Sequence, residues 1–115
     1  MSLTNVEVAE SYIHALGAKD PTKALLAPDV TLQYPLSPGV IRGPAMVIEY
    51  ITAMMPSIDR VEIERHITEG DYVVILWQAH SVWGVIPVCH VFRIQDELIH
   101  EIRSFFDARL IAPLR

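Results

Sequence analysis

The side chains best suited to chemistry in this chain are His90, Tyr12 and Asp107. His90 stands in "PVCHVFRI", a strongly apolar run that also holds the sole cysteine. An imidazole there can exchange a proton near neutral pH, and burial favours its neutral form. A neutral ring offers one donor and one acceptor, enough to polarise a carbonyl or to accept an α-proton. The same position also suits a structural histidine bonded to a backbone or tyrosine oxygen. Tyr12 carries a phenol that keeps its proton at neutral pH and can stabilise an enolate-like oxygen. It equally suits an amphipathic helix with its hydroxyl in water. Asp107, in "RSFFD", is either an acid or base, or a strand-end carboxylate bonded to Arg109 or a backbone amide. Tyr34, Trp77, Phe92 and Phe106, with Ile13 and Met54, are the side chains expected to wall an apolar ligand.

Other chemistries find no support. Cys89 precedes His90 in a strand, and adjacent strand residues point to opposite faces, so a Cys–His dyad is disfavoured. The histidines at 14, 66, 80, 90 and 100 lack tight ligand spacing and a local carboxylate, so no metal site is expected. Phosphate loops, nucleophile elbows and dinucleotide fingerprints are absent, and no cofactor is expected. Hydrophobic residues make up 51% and charged residues 20% of the 115, which excludes a disordered chain. The net charge of −5 and the scatter of the basic residues argue against nucleic acid. The apolar runs fall short of the ~20 residues that span a bilayer. "MSLTNVEVAE" has no secretory pattern, and Met1–Leu3 read as an expression remnant. A single cysteine fits a reducing, cytoplasmic setting.

These residues need elements to position them. Residues 4–20 read as a helix, with Thr4 and Glu7 as a capping box and Val6, Ala9, Ile13 and Leu16 as its apolar stripe. Gly17 suits the helix end. Asp20-Pro21 restarts a second, short helix through "TKALLA". "DVTLQYPLSPGVIRG" is extended and broken by proline into two short edge pieces. Gly43-Pro44 opens a third helix, "PAMVIEYITAMM", with Met46, Ile48, Tyr50, Ile51 and Met54 on its apolar face. From residue 58 the period becomes two. Four strands follow, "IDRVEIERHIT", "YVVILWQAHSVW", "VIPVCHVFRI" and "LIHEIRSFFDARL", with turns at "EGD", Gly84 and "QDE". The result is one α+β domain over 1–115: three N-terminal helices packed on a strongly curved, mostly antiparallel sheet.

The order of "SYIHALGAKD", "LLAPDVTLQYP", "IRGPAMVIEYI", "EGDYVVI", "CHVFRI" and "IHEIRSFFD" resembles the ketosteroid-isomerase, SnoaL-like and nuclear-transport-factor-2-like superfamily, from about Val6 to Leu110. The resemblance implies a cystatin-like cone with a pocket at its wide end. It places the oxyanion-binding acid of ketosteroid isomerases at His90 and their oxyanion-hole tyrosine at Tyr12. In those isomerases the acid is kept neutral by its apolar site, so that it can donate a hydrogen bond. The usual catalytic base, an aspartate before proline, is replaced by Tyr34, and a phenol with a pKa of about 10 is a poor base. In SnoaL-like cyclases an acidic residue late in the last strand serves instead, and Asp107 falls on it.

With Gly84 in a tight hairpin, Trp77 lies across from His90. Val73, Ile75, Trp77 and Ala79 then share a face with Val88, His90 and Phe92. Val74, Leu76, Gln78 and His80 share the other with Cys89, Val91 and Arg93. If Ile102, Ser104 and Phe106 face the pocket, Asp107 points away unless the strand bends. The second apolar face implies a homodimer, as in many relatives. The function expected is a small cofactor-free enzyme acting on an apolar carbonyl compound by acid–base proton transfer, as isomerase, cyclase or dehydratase. The alternative is a non-catalytic ligand-binding or dimerisation module of the same fold.

Overall fold

A computed structural model describes residues 2–36 and 38–111; Met1, Ser37 and residues 112–115 lie outside the description. Helix α1 spans Asn5–Ala18. Thr4 Oγ1 accepts from the Glu7 N–H at 3.1 Å, and Glu7 Oε1 accepts from the Thr4 N–H at 2.8 Å. This reciprocal cap satisfies two donors that a helix start otherwise leaves unpaired. The helix buries Val8, Ala9, Tyr12, Ile13, Ala15 and Leu16.

Its end differs from the expectation. Gly17 lies inside the helix, and Lys19 takes the left-handed cap with φ 58°. The Lys19 ammonium donates to the carbonyls of Met55 and Ile58, which fixes that cap from outside the helix. Gly17 is needed for packing instead: a Cβ there would stand 2.9 Å from Val61 Cγ2.

The expected second helix is a single turn, Pro21–Lys23, capped by Asp20. The chain then becomes strand β1, Leu26–Gln33. Pairing with a distant strand wins here over the local helix signal, which is the usual outcome when tertiary contacts oppose propensity. Thus among the described residues two α-helices are present rather than three, the second being α2, Pro44–Met54. In α2, Val47 and Ile51 are the buried residues, whereas Met46 is exposed.

The expectation of a strongly curled cone gives way to a plainer description, two helices against a six-stranded, mostly antiparallel sheet. Its strands are β1, β2 (Ile41–Arg42), β3 (Ile58–Glu69), β4 (Tyr72–Ser81), β5 (Gly84–Gln95) and β6 (Leu98–Phe105). They lie in the order β2-β1-β6-β5-β4-β3. β1 is therefore interior rather than an edge, running parallel to β6 and antiparallel to β2. β3 to β6 form the expected meander. Tight turns join them at Gly70-Asp71, Val82-Trp83 and Asp96-Glu97. β6 ends at Phe105, and residues Ala108–Leu110 form a helical turn instead of continuing the strand.

The hairpin register is shifted from the expected one. Ser81 pairs with Gly84, so Gly84 opens β5 rather than sitting in the turn. The Ser81 hydroxyl organises the turn by donating to the Gly84 carbonyl and accepting from the Trp83 N–H. His90 consequently lies opposite Ile75, and Trp77 opposite Val88. The slip is two residues, so every side chain stays on its expected face. The face bearing Val73, Ile75 and Trp77 is buried, and helix α1 packs on β3 through β6 while α2 packs on β1 and β2. Among the described residues no helix is long and apolar enough to cross a membrane.

Candidate functional site

Between the two helices and the inner sheet face lies a small, partly open cavity of about 50 Å³. Helix α1 contributes Tyr12 and Leu16; α2 contributes Tyr50 and Met54. The sheet supplies Trp77, Val88, His90 and Ser104, and Trp83 enters from the β4–β5 turn. Phe106 and Ile111 close the side beyond β6.

His90 is the centre of this arrangement and is only 3% exposed. The Trp77 indole Nε1–H donates to His90 Nδ1 at 2.7 Å. Phe92 stacks on the imidazole with centroids 5.4 Å apart, and Tyr12 meets it edge-on at 5.3 Å. Burial lowers the His90 pKa to about 3, so the ring is neutral at physiological pH. Burial also raises the Tyr12 phenol well above its usual value, with Tyr50 nearby adding to the effect. Tyr50 is shifted the same way by burial and by Tyr34. Both phenols therefore keep their protons. Among the described residues, the Tyr12 and Tyr50 hydroxyls, Ser104 Oγ and His90 Nε2 make no hydrogen bond to protein. Apolar walls with a few unpaired polar groups are the usual make-up of a small-molecule site.

The residues expected at the site divide. Tyr12, His90, Trp77, Phe106 and Met54 line the cavity. Phe92 and Ile13 are fully buried behind it and support His90 and α1 instead of bordering the space. Tyr34 packs on Tyr50 with centroids 4.5 Å apart and also stays off the lining. Asp107 is not brought to the cavity. It is exposed and caps the turn after β6, accepting from the Arg109 backbone N–H, Nε and Nη2. Those bonds lower its pKa to about 2. Cys89 lies on the outer face, half-buried, with its thiol pKa raised by burial.

Three further polar or aromatic groups reach the cavity, Tyr50, Ser104 and Trp83. Tyr50 is legible there only as one more residue of an apolar helix face. Ser104 carries a signal in its parity, since it pairs directly with His90 across β5 and β6. Trp83 sits in a turn whose register the sequence does not set. Among the described residues, no group of three or more His, Cys, Asp or Glu side chains is placed to hold a metal ion.

The SnoaL-like domain model matches residues 9–102, and the chain belongs to that family. No curated protein matches it. Among solved structures, it is similar to a nuclear-transport-factor-2-like protein of unknown function from Burkholderia pseudomallei K96243, at 24% identity and TM-score 0.79, covering 98% of each chain. It is also similar to a putative SnoaL-like polyketide cyclase from Jannaschia sp. CCS1, at 16% identity and TM-score 0.77, covering 96% of this chain and 94% of that one. A third likeness is a protein with a ketosteroid-isomerase-like fold from Catenulispora acidiphila DSM 44928, solved with trimethylamine. It shows 18% identity and TM-score 0.75, covering 90% of this chain and 88% of that one. At these identities the likeness is one of fold, which many chemistries share.

Proposed function

We propose that the cavity receives a small, largely apolar molecule bearing a carbonyl oxygen, and that the protein is a cofactor-free enzyme of the isomerase, cyclase or dehydratase type. One observation carries this reading: the Tyr12 phenol and the His90 imidazole meet with centroids 5.3 Å apart on a mostly apolar wall. As a proton leaves the carbon beside the carbonyl, charge grows on the oxygen. Fixed polar groups in a water-poor site stabilise that charge far better than bulk water does. No Asp, Glu, Lys or Arg is among the lining residues, which favours an uncharged ligand. With Asp107 turned toward Arg109, the departing proton goes to water at the cavity mouth or to a group of the substrate itself.

The test is hydrogen–deuterium exchange at the α-carbon of cyclic ketones, followed by NMR. The wild type accelerates exchange, and Tyr12→Phe slows it by about 10²-fold, the usual cost of one lost oxyanion donor. If ketones bind but none exchanges, the protein is instead a binding module without chemistry. The lack of a lining carboxylate is the observation that favours that alternative.

The partner proposed is a second copy of the chain. Val74, Leu76, Cys89 and Val91 form a half-buried strip on the outer sheet face, and a homodimer would cover it.

A further inference from the structure

We propose that Trp77 is a positioning residue: by donating its indole N–H to His90 Nδ1, it keeps the imidazole proton on Nε2 and makes His90 favour ligands that accept a hydrogen bond. An indole N–H can only donate. A neutral imidazole has one nitrogen with a free lone pair, and the 2.7 Å contact assigns that lone pair to Nδ1. The proton then lies on Nε2, which has no protein partner among the described residues.

The register explains why this bond forms. Trp77 lies opposite Val88, and His90 opposite Ile75, so the two rings are diagonal neighbours on the inner face. Aromatic side chains can reach across that diagonal. The rings lie nearly parallel, 18° apart, and both are almost fully buried. Phe92 on one side and Tyr12 edge-on leave the imidazole little freedom to turn. The opposite tautomer would set N–H against N–H in a dry interior, where an unpaired donor is strongly unfavourable.

Two consequences follow for the ligand. His90 has no free lone pair, so it acts on the ligand as a donor and not as the proton acceptor of the reaction. A ketone or quinone oxygen therefore matches His90, whereas an uncharged molecule offering only an N–H finds its acceptors at the Tyr12, Tyr50 and Ser104 hydroxyls and none at His90. This selectivity rests on the carbonyl reading proposed for the cavity, whereas the tautomer assignment does not.

The experiment uses the full chain labelled with nitrogen-15 and carbon-13. Imidazole spectra of the ligand-free wild type should place the proton on Nε2 alone, unchanged between about pH 5 and 8. A scalar coupling across the hydrogen bond should link the indole nitrogen to His90 Nδ1. In Trp77→Phe both tautomers should appear. Binding is probed with 1-tetralone, an acceptor, and indole, an uncharged donor. The wild type should prefer tetralone by about tenfold or more, the order of one hydrogen bond. Trp77→Phe should reduce that preference. A proton on Nδ1 in the wild type, or an unaltered tautomer and preference in Trp77→Phe, overturns the proposal. If Trp77→Phe does not fold, the wild-type coupling decides: its presence supports the assignment and its absence overturns it. Tetralone that fails to bind while the coupling is present counts against the carbonyl reading and leaves the tautomer assignment supported.

Discussion

A histidine held neutral inside an apolar sheet ties the stability of this fold to pH. Burial lowers the His90 pKa from 6.5 to about 3. Between those values the unfolded chain binds a proton that the folded chain does not. Stability therefore rises with pH across that window, by up to ~1.4 kcal/mol per unit from this one group. The contribution is fully present above the unfolded value and is lost as pH falls toward the folded one. Urea unfolding of the wild type and His90→Gln at several pH values should show a shallower acid slope in the variant, whose amide oxygen can still accept from Trp77. Parallel slopes would mean that His90 is hydrated in solution. Asp107 belongs to the opposite case, an exposed carboxylate engaged by Arg109. Asp107→Asn should leave tetralone binding and α-proton exchange within about twofold. A tenfold loss would return Asp107 to the site. Of the candidate residues, His90 and Trp77 were legible because period-two spacing assigns a face, and Tyr12 only through the resemblance, since helical spacing left it outside the apolar stripe. Asp107 was not, because its role depends on how the chain leaves β6.

At the scale of elements, two local devices set how α1 is held. The capping box predicts that Thr4→Ala lowers stability by about 1 kcal/mol, measurable by thermal unfolding. Gly17→Ala is the sharper case. In an isolated helix alanine is better than glycine by about 1 kcal/mol, yet here the new methyl meets Val61 at 2.9 Å. Val61 is β-branched and has few rotamers to retreat into. Gly17→Ala should therefore destabilise, and the added change Val61→Ala should restore part of the loss. Stabilisation by Gly17→Ala alone would show that the helix end and β3 can move apart. The sequence marks Gly17 as a stop signal, but what it serves is close packing between elements far apart in the chain. The Asp20-Pro21 start is a true local signal that ends after one turn. The extended segment following it has a stronger claim on that backbone, since β6 and β2 flank it.

For the whole molecule, the exposed edge of β3 and the outer face of the sheet present different problems. The edge strand carries Asp59, Arg60, Glu62, Glu64 and Arg65, and such charges discourage another strand from adding there. The outer face of β4 and β5 has no comparable protection at Leu76 and Val91. If two copies associate through it, Val91→Asp should shift sedimentation equilibrium from dimer to monomer while far-ultraviolet dichroism is retained. A wild type that sediments as a monomer would refute that assembly.

By itself, the sequence determined the α+β order, the four-strand meander and which side chains share a face. Those follow from backbone geometry, in which a helix repeats every few residues and a strand every two. Tertiary structure alone decided that β1 would lie inside the sheet and that Ser81 rather than Gly84 would anchor the hairpin. It also decided that Tyr50 would join His90 around one cavity. These outcomes depend on pairings between segments distant in the chain, where the energies of many weak contacts are compared together. The Trp77–His90 bond shows the division plainly. Periodicity put both rings on one face, and only the register between β4 and β5 brought the indole N–H to the imidazole nitrogen.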